Sequence, residues 1–296
     1  MRFEALLEQP FASIPDLIAS HARERPTHPA LLQDDRSLDF ASLDQRMDRV
    51  AAALQRDGLR PGQCIAICSL NSIEYAAVYV GALRAGVVVA PLPPSATAES
   101  LALMLSDCDA RLLFVDALGG AAVPATSPVR RVALDGEAEG DALEGWLAAE
   151  GARPQAVVID PEAPFNIIYS SGTTGAPKGI VQPNRMRWAH VRRGRDSGYG
   201  PDAVTLISTP LYSNTTLVSF FPGLALGGSV VLMAKFDAAR FLALAQRHRA
   251  THAMLVPVQY QRVMDSPALA SADLSSFRMK FCTSAPFSAA LKARVQ

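Results

Sequence analysis

Short apolar runs of strand length alternate with helix-period segments along most of this chain, and no other feature limits its fold as strongly. Leu43 to Leu54 sets Leu43, Met47, Val50, Ala51 and Leu54 at helical spacing with Asp and Arg between them, an amphipathic helix closed by Gly58 and Pro61-Gly62. Gln63 to Leu70 reads as a buried strand, Ile73 to Ala85 as a helix stopped at Gly86, and Val87 to Ala90 as a second strand. A helix over Ala98 to Asp107 and a strand over Arg111 to Val115 continue the series. Strands separated by helices pair in parallel through crossover connections, so the spacing predicts an α/β fold.

From Ala117 to Pro164 the sequence turns rich in Gly, Ala, Pro and acidic residues, which predicts a surface excursion with one strand at Arg130 to Leu134. Strands at Phe165 to Tyr169 and Gly179 to Gln182 follow, and Asn184 is placed to cap a helix. A second series has strands at Val204 to Ser208, Ser229 to Met233 and His252 to Val256, with helices near Leu217 to Leu226 and over Asp237 to Arg247. Two successive parallel-sheet α/β subdomains are therefore expected, 1–190 and 191–296.

Composition narrows the function. Lys plus Arg equals Asp plus Glu, 28 against 28, so the charge balance gives no sign of a large basic surface for a polyanion, and no nucleic-acid partner is expected. The first residues carry Glu4 and Glu8 and no basic lead into an apolar run, and the apolar stretch Tyr75 to Pro94 is broken by Arg84. Neither a secretory signal nor a membrane span is expected, which predicts a cytoplasmic protein. Cys64, Cys68, Cys108 and Cys282 match no disulfide or zinc pattern and are expected as reduced, mostly buried thiols. His248 and His252 are four apart but lack an adjacent Glu and straddle a predicted helix end, so no metal site is expected.

Between the predicted strands lies Y-S-S-G-T-T-G-A-P-K-G, Tyr169 to Gly179. Ser170, Ser171, Thr173 and Thr174 supply hydroxyls, while Gly172, Gly175 and Gly179 permit positive φ and close backbone approach, so several donors can converge on an anion. Lys178 adds a point charge, in a chain whose lysines number only four: Lys178, Lys235, Lys280 and Lys292. A Walker-type loop counted from Gly172 would need Gly where Pro177 stands and Ser or Thr where Gly179 stands. The plainer alternative is a polar turn.

This run resembles the pyrophosphate-binding signature of the adenylate-forming superfamily of acyl-CoA synthetases, luciferases and peptide-synthetase adenylation domains. L-D-F-A-S-L-D-Q-R-M-D-R-V-A-A-A-L at 38–54, R-P-G-Q-C-I-A-I at 60–67, N-S-I-E-Y at 71–75, A-G-V-V-V-A-P-L at 85–92, T-P-L-Y-S at 209–213, L-G-G-S-V-V-L-M at 226–233 and L-V-P-V at 255–258 fall in that family's order. The resemblance implies the family's N-terminal domain with its second subdomain incomplete, the C-terminal domain lying beyond Gln296. It implies ATP-dependent formation of an acyl adenylate, then transfer to coenzyme A or to a carrier-protein thiol.

By the same resemblance Ser170, Ser171, Gly172, Thr173, Thr174, Gly175 and Lys178 bind ATP and pyrophosphate, with Thr174 and Lys178 catalytic. C-T-S-A-P-F at 282–287 resembles the segment between adenine and the acyl pocket, giving that role to Ser284, Ala285 and Pro286. Ser284 stands where Gly is common. Tyr212 matches an aromatic position beside the carboxylate site, but Ser213 follows where His is frequent; Tyr212 and Asn214 line the acyl pocket or pack in the interior. The Glu that contacts magnesium is expected beyond Gln296, so this chain alone is expected to bind nucleotide without turnover. Arg185, Arg187, Arg192, Arg193 and Arg195 form either a docking site for coenzyme A or a solvated helix face. The small and apolar residues around Tyr212 to Phe221 favour a fatty acyl substrate, with an aryl acid equally accommodated.

Overall fold

The computed structural model describes residues 2–170 and 177–295. The chain divides into two compact units, the first made of Met1–Pro26, Phe40–Leu70 and Glu74–Trp188 and the second of Thr27–Asp39, Asn71–Ile73 and Ala189–Gln296. The second unit thus takes in two early segments that the sequence reading placed with the first.

Among the described residues, the sheet of the first unit runs in spatial order Asp141–Ala142, Arg131–Ala133, Ala110–Val115, Cys64–Cys68, Val88–Leu92, Pro164–Ser170 and Lys178–Pro183. Its neighbours pair in parallel except the last two, an antiparallel hairpin. Cys64–Cys68 and Val88–Leu92 are buried at every position, as strands covered on both faces must be. The helix Ala98–Asp107 begins where the Thr97 hydroxyl accepts the Ser100 N–H at 3.2 Å. The helix Ile73–Arg84 ends before Gly86, whose φ of 69° and whose approach to Pro61 and Val157 both require glycine.

Two expectations change here. The stretch Ala117–Pro164 carries helices Ala117–Ala122 and Leu143–Trp146 besides its strands, because Leu143 and Trp146 are buried and Trp146 packs edge-on against Phe114 at 5.0 Å. Asn184 opens the helix Asn184–Asp196, yet its side-chain amide donates to the Ala163 carbonyl at 2.9 Å, tying the helix start to the preceding turn.

The sheet of the second unit runs Met279–Cys282, His252–Leu255, Val204–Ile207, Ser229–Leu232, Pro29–Gln33 and Arg36–Asp39, parallel except for the last hairpin. Its winding reverses between two neighbouring strands. The chain leaves Val204–Ile207 toward Ser229–Leu232 on one side and leaves His252–Leu255 toward Met279–Cys282 on the other. Such a reversal opens a crevice at the carboxyl ends of the two strands. The first unit reverses likewise between Cys64–Cys68 and Ala110–Val115, but there the protein fills the gap itself. Asp116 accepts the Leu70 and Gly119 N–H groups at 2.9 and 2.7 Å, and a Cβ on Gly119 would lie 1.7 Å from the Cys68 carbonyl oxygen.

Candidate active site

The first candidate region is the mouth of the hairpin. Pro164–Ser170 and Lys178–Pro183 pair with Tyr169 opposite Gly179 and Ser170 opposite Lys178, so the two exposed ends of the Ser/Thr/Gly run face each other. Ser171, Gly172, Thr173, Thr174 and Gly175 lie outside the described residues. Gly179 serves the close approach expected of it, while its φ is not positive. It sits within a strand, and a Cβ there would lie 2.9 Å from Ile167, 3.1 Å from Asp107 and 3.2 Å from the Tyr169 ring. The Tyr169 hydroxyl donates to the Asp107 carboxylate at 2.6 Å, with the Met104 carbonyl at 3.1 Å.

Arg187 is not part of a docking surface. It is fully buried, and its guanidinium donates to the Gln182 side-chain oxygen and, at 3.3 Å, to that of Asn166, two residues directly opposite each other in the hairpin. The Phe165 ring lies beneath it, 5.6 Å from centroid to guanidinium carbon. Burial lowers its pKa to about 10, which leaves it charged at neutral pH. Helical spacing from Asn184 turns Arg187 inward while Arg185, Arg192, Arg193 and Arg195 stay exposed, Arg185 paired with Glu162 at 2.8 Å.

The second region is the carboxyl end of the second unit's sheet, where the winding reverses. Asn71 is 2% exposed and its side-chain N–H groups donate to the carbonyls of Thr209, at 2.9 Å, and Met233, at 3.1 Å. Its oxygen accepts the Leu211 N–H at 2.8 Å. Gln33 supports it from behind, donating to the Asn71 carbonyl at 3.4 Å and accepting the Ile73 N–H at 3.1 Å. Thr209 is also bonded through its hydroxyl to Thr216 at 2.8 Å. The loop that follows Val204–Ile207 is thereby fixed at both backbone and side chain, and it carries the partly exposed Tyr212 and Asn214. Sequence reading noted Asn71 within N-S-I-E-Y without giving it a role. Its sequence signal is only a short amide in the turn after a buried strand, and the backbone groups it holds come from loops of the other sheet.

Ser284, Ala285 and Pro286 follow the strand Met279–Cys282 and are exposed. They leave the same edge of the sheet as the Tyr212 loop, with His252–Leu255 between the two parent strands. Ser284 holds φ at 73°, in the region that glycine occupies without strain, which gives a backbone reason for glycine at a position of this kind. Its added side chain makes this a strained turn.

His252 has both ring nitrogens engaged, Nε2–H donating to the Ser197 carbonyl at 2.9 Å and Nδ1 bonded to the Thr251 hydroxyl at 2.7 Å. It stacks on Tyr199 at 4.2 Å, and burial lowers its pKa. These are packing and hydrogen-bonding roles. Among the described residues no group of three or more His, Cys, Asp or Glu is arranged to hold a metal ion. The cysteines are free thiols, three buried and Cys282 partly so.

The family model described as AMP-binding enzyme matches residues 18–296. The chain belongs to that family. It is 30% identical over 280 residues to the fatty acid–[acyl-carrier-protein] ligase ScoC of Streptomyces coeruleorubidus, covering 92% of this chain and 53% of that protein. It is 32% identical over 274 residues to the indoleacetate–CoA ligase of Aromatoleum aromaticum, covering 88% and 53%. Among solved structures, the anthranilate CoA ligase AuaEII in complex with anthranoyl-AMP superposes with a TM-score of 0.85 at 22% identity, covering 99% of this chain and 58% of that one. The chain spans about half the length of the curated relatives it matches. Its two largely parallel sheets are the adenylate-forming N-terminal architecture that the sequence resemblance implied. No helix among the described residues is long and apolar enough to cross a membrane.

Proposed function

We propose that the protein activates a carboxylic acid with ATP. The acid's carboxylate oxygen attacks the α-phosphorus, the bond from that phosphorus to the oxygen bridging the β-phosphorus breaks, and pyrophosphate leaves as the acyl adenylate forms. The supporting observation is the hairpin that sets Ser170 opposite Lys178 at the two ends of the signature run. Negative charge builds on the departing pyrophosphate, and the Lys178 ammonium together with the hydroxyl and N–H groups of the signature run would offset it. Magnesium enters as the ATP complex, held largely by the phosphates. Tyr212 and Asn214 face the acid, and the backbone of Ser284, Ala285 and Pro286 lies between adenine and the acyl group.

The partly exposed residues of the crevice loop and its helix, Tyr212, Ser213, Asn214, Thr215 and Val218, carry no charge, which favours an apolar fatty or aryl acid. Leu217, Phe220 and Phe221 are fully buried core, so they set the wall's rigidity rather than the pocket's open lining. The acyl group then passes to a thiol, with coenzyme A the first choice. A carrier-protein thiol is the second reading, since one relative is named for a carrier protein and another for CoA. The free cysteines suit a reducing compartment such as the cytoplasm.

Acid-dependent exchange of labelled pyrophosphate into ATP tests this, across short, medium, long and aromatic acids, for this chain and for any longer protein that contains it. Lys178→Ala is expected to lower exchange about 100-fold. No exchange with any acid in the longer protein would replace the ligase reading with nucleotide binding alone. Thioester formation with coenzyme A against a carrier protein decides the acceptor.

A further inference from the structure

The residue that opens the signature run has a partner that phosphate binding does not explain. Tyr169 stands one position before Ser170, and its hydroxyl leaves the hairpin to reach the last turn of the helix Ala98–Asp107, donating to Asp107 at 2.6 Å with the Met104 carbonyl at 3.1 Å. Asp107 is an unusual residue there. It is the final residue of that helix, at the negative end of the helix dipole, where a cation is favoured, and no basic residue occupies the last turn. A carboxylate against the dipole is retained more readily if it has a donor to hold.

The opposite strand is engaged as well. Gly179 follows Lys178 and faces Tyr169, and its missing side chain leaves room for the Tyr169 ring and the Asp107 carboxylate, which would otherwise lie 3.2 and 3.1 Å from a Cβ. The ring and carboxylate therefore occupy the notch that glycine leaves open. Both stems of the run, one residue outside Ser170 and one residue beyond Lys178, meet at the same point on the helix end.

We propose that Tyr169 and Asp107 form a latch that positions Ser170 and Lys178 for the ATP phosphates, with Gly179 as the notch that lets it close. The proposal rests on the adenylate-forming reading. Burial and the adjoining Asp107 carboxylate both raise the Tyr169 pKa, so the phenol stays protonated and remains the donor. Neither residue need touch the reacting atoms; they act through the stems.

The test compares Tyr169→Phe, Asp107→Ala, Asp107→Asn and Gly179→Ala with the unaltered sequence, in acid-dependent pyrophosphate exchange by any longer protein that contains this chain and in calorimetric titration of this chain with inorganic pyrophosphate and with ATP. Tyr169→Phe and Asp107→Ala are expected to raise KM for ATP and weaken pyrophosphate binding about tenfold, the scale of a lost charge-assisted hydrogen bond, while KM for the acid stays unchanged. Asp107→Asn keeps an acceptor and is expected to restore most of the loss. Gly179→Ala is expected to resemble Tyr169→Phe. Equal rises in both KM values, or unchanged ATP and pyrophosphate binding in folded Tyr169→Phe, would overturn the latch. Absence of exchange in any longer protein that contains this chain would count against the adenylate reading, and pyrophosphate titration of the variants would still decide the latch.

Discussion

The side chain of Asn71 commits both of its N–H groups and its oxygen to backbone groups of two loops that leave neighbouring strands. A buried amide so satisfied stabilises modestly, but its loss strands every partner at once. Asn71→Ala would leave the carbonyls of Thr209 and Met233 and the Leu211 N–H without their present partner, and a cost of about 3 kcal/mol in urea unfolding is expected. In the active protein the same change should raise KM for the acid more than KM for ATP, because the Leu211–Tyr212 backbone loses its anchor; equal rises would assign Asn71 to folding alone. The residue types of the signature run were legible because hydroxyl, glycine and lysine chemistry is local. Asn71 was not, because its partners lie 138 to 162 residues away in sequence and only the fold brings them together. Arg187 was misread for a related reason: a run of arginines shows charge, while the inward turn of one of them depends on what lies beneath the helix.

Elements were legible where their pattern and their caps agreed. The helix expected over Ala98 to Asp107 has those bounds in the structure, where Thr97 caps its start and apolar Leu101, Met104 and Leu105 form its buried face. The hairpin was read as two strands, but sequence could not show the register that places Asn166 opposite Gln182 over a single guanidinium. That clamp should make the two strands one mechanical element. Arg187→Ala would open a cavity and remove the guanidinium that both side-chain oxygens accept from, and a loss of about 3 kcal/mol is expected. Amide exchange should quicken along 164–170 and 178–183 more than along Cys64–Cys68. Uniform acceleration across the sheet would instead make Arg187 a general core residue. The strands Pro29–Gln33 and Arg36–Asp39 and the segments after residue 256, which fold as Pro257–Met264, Met279–Cys282 and Ala289–Val295, were not read, since short runs near breakers carry little periodicity of their own.

At the scale of the molecule, the two α/β series were legible but the membership of the second was not. Leu31 and Leu32 pair in parallel with Val230 and Val231, an association that no local pattern encodes. Leu31 is fully buried, so Leu31→Asp places a charge inside the second sheet and is expected to cost at least about 3 kcal/mol. Hydrogen exchange should then rise in Ser229–Leu232 and Val204–Ile207 before it rises in Cys64–Cys68; equal acceleration in both sheets would mean that the units open together. The borrowed hairpin also sets a timetable for the ribosome. The strands of the first sheet have all been made once Pro183 has emerged, while Pro29–Gln33 must wait for a strand whose Ser229 lies 200 residues downstream of Pro29. Throughout that interval the apolar Pro29–Gln33 lacks the neighbour it pairs with in the sheet, and an unpaired apolar strand is a point for a chaperone to act and an aggregation hazard.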